Sequence, residues 1–468
     1  MSLRISVIGT GYLGATHAAG MAELGFEVIG VDTDVEKVRA LAAGRVPFYE
    51  PGLPDLIQRN IAAGRLRFTT SLREAADVAD VHFVCVGTPQ GPTGAADLAY
   101  LHSVVDGLVP HLTRSCLVVG KSTVPVGTAE AVATRIADLA PEGVEVDLAW
   151  NPEFLREGHA VVDTLRPNRL VFGVTSPAAE WALRRVYATP IAEGSPVVVT
   201  NLPTAELVKV SANAFLATKI SFINGMAELC EVTGGDIQQL ADALGHDDRI
   251  GRKFLGAGLG YGGGCLPKDV RALVARAEEL GAGGAVGFLH GIEEINDRRR
   301  DRVVEHALSV LGHHGDLARR KGTVGRVGVL GAAFKPHSDD VRDSPALDVA
   351  RRLRAAGAWV TVYDPQASVP ARSVAPELRY AANAAAALRK ADVVLHLTEW
   401  PEFAEMDPAQ LRTVTRGRVI VDARNTLDPE PWLAAGWEFR SLGRLVPGAA
   451  DVPATGVGRT TDRTRVGA

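Results

Sequence analysis

The stretch of residues 260–270 carries the side chain best suited to covalent chemistry in this sequence. It reads GYGGGCLPKDV, so a single cysteine, Cys265, ends a glycine-rich loop. Pro267 is typical of the first turn of a helix, and a cysteine at a helix N-terminus faces unpaired N–H groups that favour a thiolate. Asp269, four positions on, would face the sulfur across that turn. The pattern indicates a nucleophile, although a cysteine after a glycine turn is also commonly a small core residue.

Two further pairs of polar residues have helical spacing. Lys209 and Asn213 are four residues apart in a long helical pattern, residues 204–233, and would be neighbours on its surface. A lysine in such apolar surroundings more often extends its ammonium to solvent than takes part in catalysis. Glu153 and Glu157 are also four apart and would share a face if the backbone there is helical. Paired carboxylates suit acid–base work or hydroxyl binding, but a solvated edge is the commoner case.

A dinucleotide-binding βαβ pattern opens the chain and would position a redox cofactor. A strand at residues 5–8 leads through GTGYLG at residues 9–14 into a helix, and a second strand ends at Asp32. The glycines permit the tight turn and the approach of a pyrophosphate to the helix start. Asp32 would bind ribose hydroxyls and repel a 2′-phosphate, which favours NAD over NADP. Lys37 and Arg39 leave that preference open.

More strand patterns follow at residues 81–86 and 116–120 and predict a parallel sheet. Each ends in a loop, GTP at residues 87–89 and KSTVPVGT at residues 121–128. Ligands lie at the carboxyl ends of parallel strands, so we expect both loops to border the nicotinamide, although either sequence is also an ordinary turn.

The second half of the chain repeats this rhythm and predicts a second doubly wound domain. A strand is predicted in the stretch of residues 326–336 and further strands at residues 358–362, 391–397 and 419–422, with a helix at residues 346–355. The helix of residues 204–233 would be about 45 Å long and would link domains or form an oligomer interface. The basic run at residues 298–300 indicates a solvated helix face, and the tail after Leu445 is predicted to be disordered.

Composition excludes several classes of protein. A chain of 468 residues exceeds one core, which predicts two or three domains. A net charge of −5 gives no sign of a nucleic-acid or membrane-surface partner. The N-terminus has no signal-peptide pattern, and no apolar run approaches membrane-spanning length. The four cysteines are far apart, which argues against disulfides and a zinc site. We therefore expect a cytoplasmic protein without a metal.

The motifs together carry a family resemblance that extends from about Arg4 to Leu445. They read GTGYLG, KSTVPVGT, NPEFLREG, ELVKVSANAFLATKISFINGMAELCE, GYGGGCLPKDVRAL, GAAFKPHSDDVRDSPAL and VYDP. As a set they resemble the UDP-glucose 6-dehydrogenase family of the UDP-glucose/GDP-mannose dehydrogenase superfamily. The resemblance implies an α/β fold with two doubly wound Rossmann-like domains joined by a long central helix. It assigns residues 1–200 to NAD binding, 201–300 to a dimerising helical region with the cysteine loop, 320–445 to UDP-sugar binding and 446–468 to the tail.

The resemblance also implies the chemistry: an NAD-dependent four-electron oxidation of UDP-glucose to UDP-glucuronate in a homodimer. Cys265 would form a thiohemiacetal and then a thioester, and Lys209 and Asn213 would stabilise the oxyanions. The first base stays open among Lys209, Asp269 and a bound water. The implied catalytic residues are Cys265, Lys209, Asn213, Asp269, Glu153 and Thr123. NAD would contact Gly9, Gly11, Gly14, Asp32, Lys37, Thr88, Thr123, Glu157 and Arg342. Substrate would contact Phe154, Leu155, Glu157, Lys209, Asn213, Arg249, Tyr261, Gly262, Phe334, Lys335 and Arg424, with Arg249 reaching across the dimer.

Two alternatives remain at the level of sequence. GDP-mannose dehydrogenase is similar around NPEFLRE and CLPKDVRAL, and Gly264 and Leu266 stand where many relatives carry serine and phenylalanine. A nucleotide-sugar-binding sensor would share the fold without the chemistry. A sensor has no need of a nucleophile together with its oxyanion partners, so the intact set of Cys265, Lys209, Asn213 and Asp269 favours an enzyme.

Overall fold

The computed structural model describes residues 3–313 and 325–444 and contains two sheets separated by a helical region. The first sheet has eight strands in the order β3-β2-β1-β4-β5-β6-β7-β8, all parallel to their neighbours except the antiparallel pair β6 and β7. Its strands are β1 Arg4–Ile8, β2 Glu27–Val31, β3 Leu66–Thr69, β4 Val81–Val84, β5 Cys116–Gly120, β6 Val146–Trp150, β7 Leu170–Val174 and β8 Val197–Thr200.

Helices cover both faces of this sheet, because successive strand residues point to opposite sides. Val7 packs into the core on one face, whereas Ile8 packs into the core on the other. The order of the first five strands reverses between β1 and β4, so a crevice forms at their carboxyl ends. The helices of this domain are α1 Tyr12–Glu23, α2 Val35–Ala42, α3 Leu53–Ala62, α4 Leu72–Val78, α5 Ala99–Leu108, α6 Thr128–Leu139, α7 Ala160–Leu165, α8 Pro177–Val186 and α9 Ala188–Ala192.

A helix of 32 residues, α10 Leu202–Thr233, connects the two halves. The Asn201 side chain caps its start by accepting the Thr204 N–H, and Gly234 ends it in a left-handed conformation with φ +80°. At 1.5 Å per residue the helix is about 48 Å long. It packs against α12 Leu266–Glu279 and α14 Phe288–His313. Two shorter helices, α11 Ile237–Gly245 and α13 Gly283–Val286, complete this region.

The second sheet has six parallel strands in the order β11-β10-β9-β12-β13-β14, which is the Rossmann order again. The strands are β9 Arg326–Leu330, β10 Trp359–Tyr363, β11 Arg379–Tyr380, β12 Val393–His396, β13 Val419–Asp422 and β14 Glu438–Ser441. Its helices are α15 Pro345–Ala355, α16 Ser368–Val374, α17 Ala384–Ala387, α18 Pro401–Ala404, α19 Pro408–Val414 and α20 Pro429–Ala434.

The end of this second domain returns to the far end of α10. The Gly443 N–H donates to Glu231 at 2.9 Å, and its carbonyl accepts the Ile237 N–H at 3.0 Å. Glu231 also pairs with Arg299 on α14 at 3.3 Å. Because α14 packs on α15 and Arg424 bonds to the Gly260 carbonyl as well, the second domain is held to the helical region at several separate places.

The predicted fold class is confirmed, but several local predictions are incomplete. The sequence patterns missed the strands β3, β6, β7, β8, β11 and β14, which are short or lie toward the edges of the sheets. The prediction of a solvated face at residues 298–300 is wrong for Arg299, which is fully buried and paired with Glu231, although Arg298 is exposed. The predicted disordered tail lies outside the described residues. Within the described ranges, no helix is both long and apolar enough to cross a membrane.

The side chain of Asn296 on α14 anchors the cysteine loop, and its removal tests that anchoring. Its Oδ1 accepts the Tyr261 N–H at 2.7 Å, and its Nδ2 donates to the Tyr261 carbonyl at 3.0 Å. Asn296→Ala leaves the buried Tyr261 N–H unpaired, whereas the Tyr261 carbonyl still accepts Arg300 at 3.2 Å, and the change is expected to cost about 1–3 kcal/mol. The midpoint of urea unfolding measures the loss. Glu294→Ala, an exposed change on the same helix, is the control; equal midpoints for the two variants would contradict the anchoring role.

Candidate active site

A cleft of about 490 Å³ lies between the helical region and the second nucleotide domain. Three parts of the chain form its walls: the loop after β6, the side chains of α10 with the cysteine loop, and the loop after β9. Ten of the residues predicted from the motifs line it, namely Leu155, Glu157, Lys209, Asn213, Tyr261, Gly262, Cys265, Phe334, Lys335 and Arg424.

Cys265 is the residue that precedes the first turn of α12, with Pro267 inside that turn, as predicted. Its side chain is exposed to the open cleft, yet protein atoms surround it on most other sides. This desolvation, together with the carboxylates of Glu153 and Asp269, raises the pKa of Cys265 to about 12 despite the nearby Lys209 ammonium. This shift is opposite to the thiolate that the helix start favours, so this geometry favours the thiol form of Cys265.

Lys209 and Glu153 form a buried ion pair beside the cysteine. Lys209 Nζ lies 2.8 Å from Glu153 Oε1, and the two side chains are only 6% and 13% exposed. Burial raises the pKa of Glu153, but Lys209 and the Leu155 N–H outweigh it and hold that pKa below its usual value. Burial likewise lowers the pKa of Lys209, and Glu153, Cys265 and Asp269 outweigh it, so that pKa lies above its usual value. Both groups are therefore ionised at neutral pH.

Asn213 and Asp269 form a second buried contact, one turn farther along α10. Asn213 Nδ2 donates to Asp269 Oδ2 at 2.6 Å, and Lys268 Nζ lies 2.6 Å from the other oxygen. Asp269 is 1% exposed and touches a small pocket that Thr123 also lines. The predicted catalytic set is thus assembled from four separate segments, with Asn213 oriented by Asp269.

The two glutamates after β6 do not act as a pair. Residues 151–156 have no regular secondary structure, so the condition of a shared helical face is not met. Glu153 faces Lys209, whereas Glu157 accepts a hydrogen bond from Ser338 at 3.0 Å and lies 3.4 Å from Arg342. Burial and the neighbouring Asp340 raise the pKa of Glu157 to about 7. The carboxylates therefore serve different parts of the cleft.

The glycines of the cysteine loop are required mainly by packing inside the chain. A Cβ on Gly263 would lie 2.7 Å from the Phe334 ring, and its φ of +87° is unfavourable for other residues. A Cβ on Gly262 would lie 2.3 Å from the Asp343 carbonyl, and one on Gly264 would lie 2.2 Å from the Arg342 guanidinium. The second nucleotide domain therefore occupies much of the space that the missing side chains leave.

The glycine turn after β1 has the geometry of a pyrophosphate cradle. Gly9 has φ +88°, and a Cβ there would lie 2.8 Å from Val86. A Cβ on Gly14 would lie 1.8 Å from the Gly9 carbonyl, whereas one on Gly11 would meet nothing within 4 Å. The first glycine thus permits the turn, the last permits close packing, and the middle one keeps the approach open, so these residues fit a dinucleotide.

The other predicted cofactor residues lie at the same edge of the first sheet or across the cleft from it. Asp32 Oδ2 accepts the Thr10 N–H at 2.9 Å and lies 2.9 Å from Lys37 Nζ. Burial opposes ionisation, yet these contacts and the Asp34 N–H hold the pKa of Asp32 below its usual value. Thr88 joins the loops after β4 and β5 by donating to the Thr123 carbonyl at 2.7 Å.

Two residues that were predicted to contact substrate, Arg249 and Phe154, do not line the cleft, whereas some residues that were not predicted do. Arg249 is 88% exposed and pairs with Asp247 in its own turn, so it does not line this cleft. Phe154 lies behind the cleft wall, with Lys209 Nζ 5.7 Å from its ring centre. Sequence analysis missed Glu399 and Phe254, which line the cleft; Glu399 follows a strand end, and that position could have indicated it.

Two nucleotide-type α/β domains that enclose a cysteine, a buried lysine and a carboxylate define a dinucleotide-dependent dehydrogenase. Comparison with protein families agrees. Residues 3–191, 203–298 and 328–429 match the NAD binding, central and UDP binding domains of the UDP-glucose/GDP-mannose dehydrogenase family. The chain belongs to that family, and its cofactor is NAD.

Individual relatives match over nearly the whole chain. UDP-glucose 6-dehydrogenase TuaD of Bacillus subtilis is 41% identical over 442 residues, which cover 94% of this chain and 93% of the relative. UDP-glucose 6-dehydrogenase of Rhizobium meliloti is 40% identical, with 94% and 100% covered. The solved structure of a UDP-glucose dehydrogenase from Pyrobaculum islandicum superposes with a TM-score of 0.84 at 38% identity, covering 95% of this chain and 98% of that one.

The charges around Cys265 predict its reactivity. Because Glu153 raises the pKa of Cys265 and Lys209 lowers it, Glu153→Gln should increase the rate of alkylation by iodoacetamide at pH 8 about tenfold, for a shift of about one pKa unit. Lys209→Met should decrease the rate. Mass spectrometry of the alkylated peptide measures both, with Cys265→Ala as the unlabelled control. If the alkylation rate changed in the same direction in both variants, the charges of Glu153 and Lys209 would not control the reactivity of Cys265.

Proposed function

We propose that this chain oxidises UDP-glucose at C6 to the carboxylate of UDP-glucuronate in two NAD-dependent steps. The observation that supports this most is the position of Cys265, in one cleft with Lys209 and Asn213 between the NAD domain and the UDP binding domain. A thiol is needed only if the reaction continues past the aldehyde, since a single alcohol oxidation uses no nucleophile.

The first oxidation removes a proton from the C6 hydroxyl and a hydride from C6. NAD, when bound, accepts the hydride, so this chain has to remove the proton and stabilise the developing oxyanion. Lys209 carries a positive charge on a largely buried side chain and Asn213 presents an amide, and both line the cleft. Lys209, Asp269 and a bound water remain the candidates for the base.

The second oxidation requires a covalent adduct. The Cys265 sulfur adds to the aldehyde carbon, the thiol proton leaves, and the carbonyl oxygen gains a proton to give a thiohemiacetal. Because the pKa of Cys265 is about 12, a base has to take the thiol proton during attack. Glu153 is ionised and interacts electrostatically with the sulfur, so it is our candidate. Loss of a second hydride and the hydroxyl proton then leaves a thioester.

Hydrolysis of the thioester completes the sequence. Water adds to the acyl carbon, the C–S bond breaks, and the sulfur regains a proton as the carboxylate is released. Asp269 and Thr123 line the same small pocket, and Asp269 accepts a hydrogen bond from the Asn213 amide. We assign them to positioning that water and its proton. Lys209 and Asn213 stabilise the tetrahedral oxyanion as in the first step.

The nucleotide half of the substrate is assigned to the second domain. Arg424 fixes the cleft wall there: it donates to the carbonyls of Leu397, Phe334 and Gly260 at 2.7, 3.1 and 3.2 Å. Lys335 lines the same wall, and burial lowers its pKa although Glu157 and Cys265 oppose that shift. A cation at this wall suits a diphosphate, and its partial burial strengthens the interaction.

Stoichiometry tests the proposal directly. Purified protein with UDP-glucose and excess NAD should form two NADH per sugar consumed, and the ultraviolet absorbance of NADH measures this ratio. GDP-mannose is assayed in parallel, and preference for it would move the assignment to the alternative sugar. Binding without turnover of either sugar would support the sensor instead. Cys265→Ala should not reach UDP-glucuronate, and completion of both oxidations by that variant would refute the thioester route.

We also infer a homodimer formed along α10. Large apolar side chains on this helix are exposed at intervals of seven or eight residues, which places them on one face. Phe215 is 65% exposed and Phe222 49% exposed, and such a contiguous apolar stripe is typical of a protein interface. The stripe consists of Leu207, Phe215, Phe222 and Leu229. In such a dimer, the exposed Arg249 of one subunit would extend toward the cleft of the other subunit.

The double variant Phe215→Glu/Phe222→Glu should be monomeric, because it places two charges in the apolar interface. Multi-angle light scattering after size-exclusion chromatography measures the mass. Val369→Glu, at an apolar position on α16 that is 77% exposed, is the matched control and should keep the wild-type mass. If Arg249 serves the partner's cleft, the monomeric variant should also show a raised KM for UDP-glucose. A dimer in the double variant would place the interface elsewhere.

A further inference from the structure

Lys121 is a buried cation that the reaction sequence above leaves without a role. It directly follows β5 and is 6% exposed. Its Nζ donates to Asn151 Oδ1 at 3.0 Å and to the Tyr187 hydroxyl at 3.3 Å, and it lies 5.9 Å from the centre of the Phe83 ring. Within the described part of the chain, Lys121 forms no ion pair. An unpaired buried ammonium is costly, so a compensating function is expected.

Lys121 and Glu153 do not line the cleft that holds Cys265; they line an adjoining pocket, which shares Leu155 with the cleft. This pocket has a volume of about 40 Å³, which is large enough for a water molecule. Lys121 is also bonded to Asn151, which is two residues before Glu153. Asn151 is fixed in turn by donating to the Val171 carbonyl at 2.9 Å and by accepting the Tyr187 hydroxyl at 2.6 Å. Lys121 therefore acts on Glu153 in two ways. Its positive charge lowers the pKa of that carboxylate, and its hydrogen bond to Asn151 holds the backbone two residues before it.

We propose that Lys121 is a positioning residue that acts through its charge and keeps Glu153 ionised when Lys209 turns toward an oxyanion of the substrate. The inference rests on the proposed function. Glu153 has one direct ion-pair partner, Lys209, and the proposed reaction requires Lys209 to share its charge with the alkoxide and the tetrahedral oxyanion. A buried carboxylate that loses the cation paired with it tends to take up a proton, and it then no longer accepts the proton of Cys265. Lys121 prevents this because it stays in place.

The neighbouring titratable groups agree with this role. Burial lowers the pKa of Lys121 to about 8, with Cys85 and Glu153 raising it and Lys209 lowering it, so Lys121 is largely charged below pH 7. His17 lines the same cavity, and burial and Lys121 lower the pKa of His17, so it adds no charge there. Burial raises the pKa of Cys85 to about 12, and Tyr187 stays protonated for the same reason. Asp163 and Arg169 also line this pocket, but Asp163 is paired with Arg156 and Arg169 lies over the Phe154 ring, so the two cations that act on Glu153 are Lys209 and Lys121.

Lys121→Gln tests the charge while retaining an N–H donor toward Asn151. The primary readout is the titration of Glu153 in protein labelled with ¹³C at glutamate carboxyls, without nucleotides, with Glu153→Gln identifying its signal. The Glu153 pKa should rise by about one unit in Lys121→Gln, because the loss of a nearby positive charge favours the neutral acid. Lys121→Arg should restore most of the shift. An unchanged titration in Lys121→Gln would overturn the inference whether or not the protein oxidises UDP-glucose.

Tyr187→Phe is the matched control, since it removes a hydrogen bond to the same Asn151 oxygen without removing a charge. If it moves the Glu153 titration as far as Lys121→Gln does, the effect is geometric and the charge role is refuted. If the wild-type protein oxidises UDP-glucose, the acid limb of the kcat profile should lie about one pH unit higher for Lys121→Gln than for the wild type. On that limb the activity of the variant is then about tenfold lower, with KM unchanged. A wild type without turnover would instead refute the proposed function.

Discussion

The buried ion pair between Lys209 and Glu153 is the interaction on which the site depends. It joins the long central helix to the loop after β6, so it fixes the cysteine cleft relative to the NAD domain. Burying two charges is costly and is tolerated only with good geometry and additional hydrogen bonds. The Leu155 N–H supplies one such bond to the carboxylate at 2.7 Å. The arrangement places a positive and a negative charge where both act on the pKa of one thiol, in buried surroundings that strengthen each effect.

The second nucleotide domain completes the cleft by occupying space that the glycine loop leaves vacant. Phe334 and Arg342 lie where side chains at positions 263 and 264 would otherwise be. Gly158, from the first domain, similarly leaves space for the His337 carbonyl, which a Cβ would approach to 2.7 Å. Glycines in two distant segments thus let three parts of the chain converge on one sulfur atom. The loop is therefore as much a domain interface as a ligand-binding surface.

Sequence analysis succeeded where the physical signal is local. The turn at residues 9–14 encodes its own geometry, and Lys209 and Asn213 are neighbours by helical spacing alone. It failed where partners are distant in sequence: Glu153 meets Lys209 only in the folded chain, and Arg299 is buried because Glu231 approaches it from another helix. The Cys265 pKa shows the same limit. A helix start favours a thiolate, but desolvation and carboxylates from other segments, which no local pattern contains, prevail.

The second nucleotide domain is attached to the rest of the chain at several separated places. α14 packs against α15, the Gly443 N–H bonds to Glu231 at the end of α10, and Arg424 bonds to the Gly260 carbonyl in the cysteine loop. Ser338 also bonds to Glu157 of the first domain. A body held at several separated points cannot rotate about one of them without breaking contacts at the others. These contacts therefore keep the cleft wall at a fixed distance from the cysteine loop.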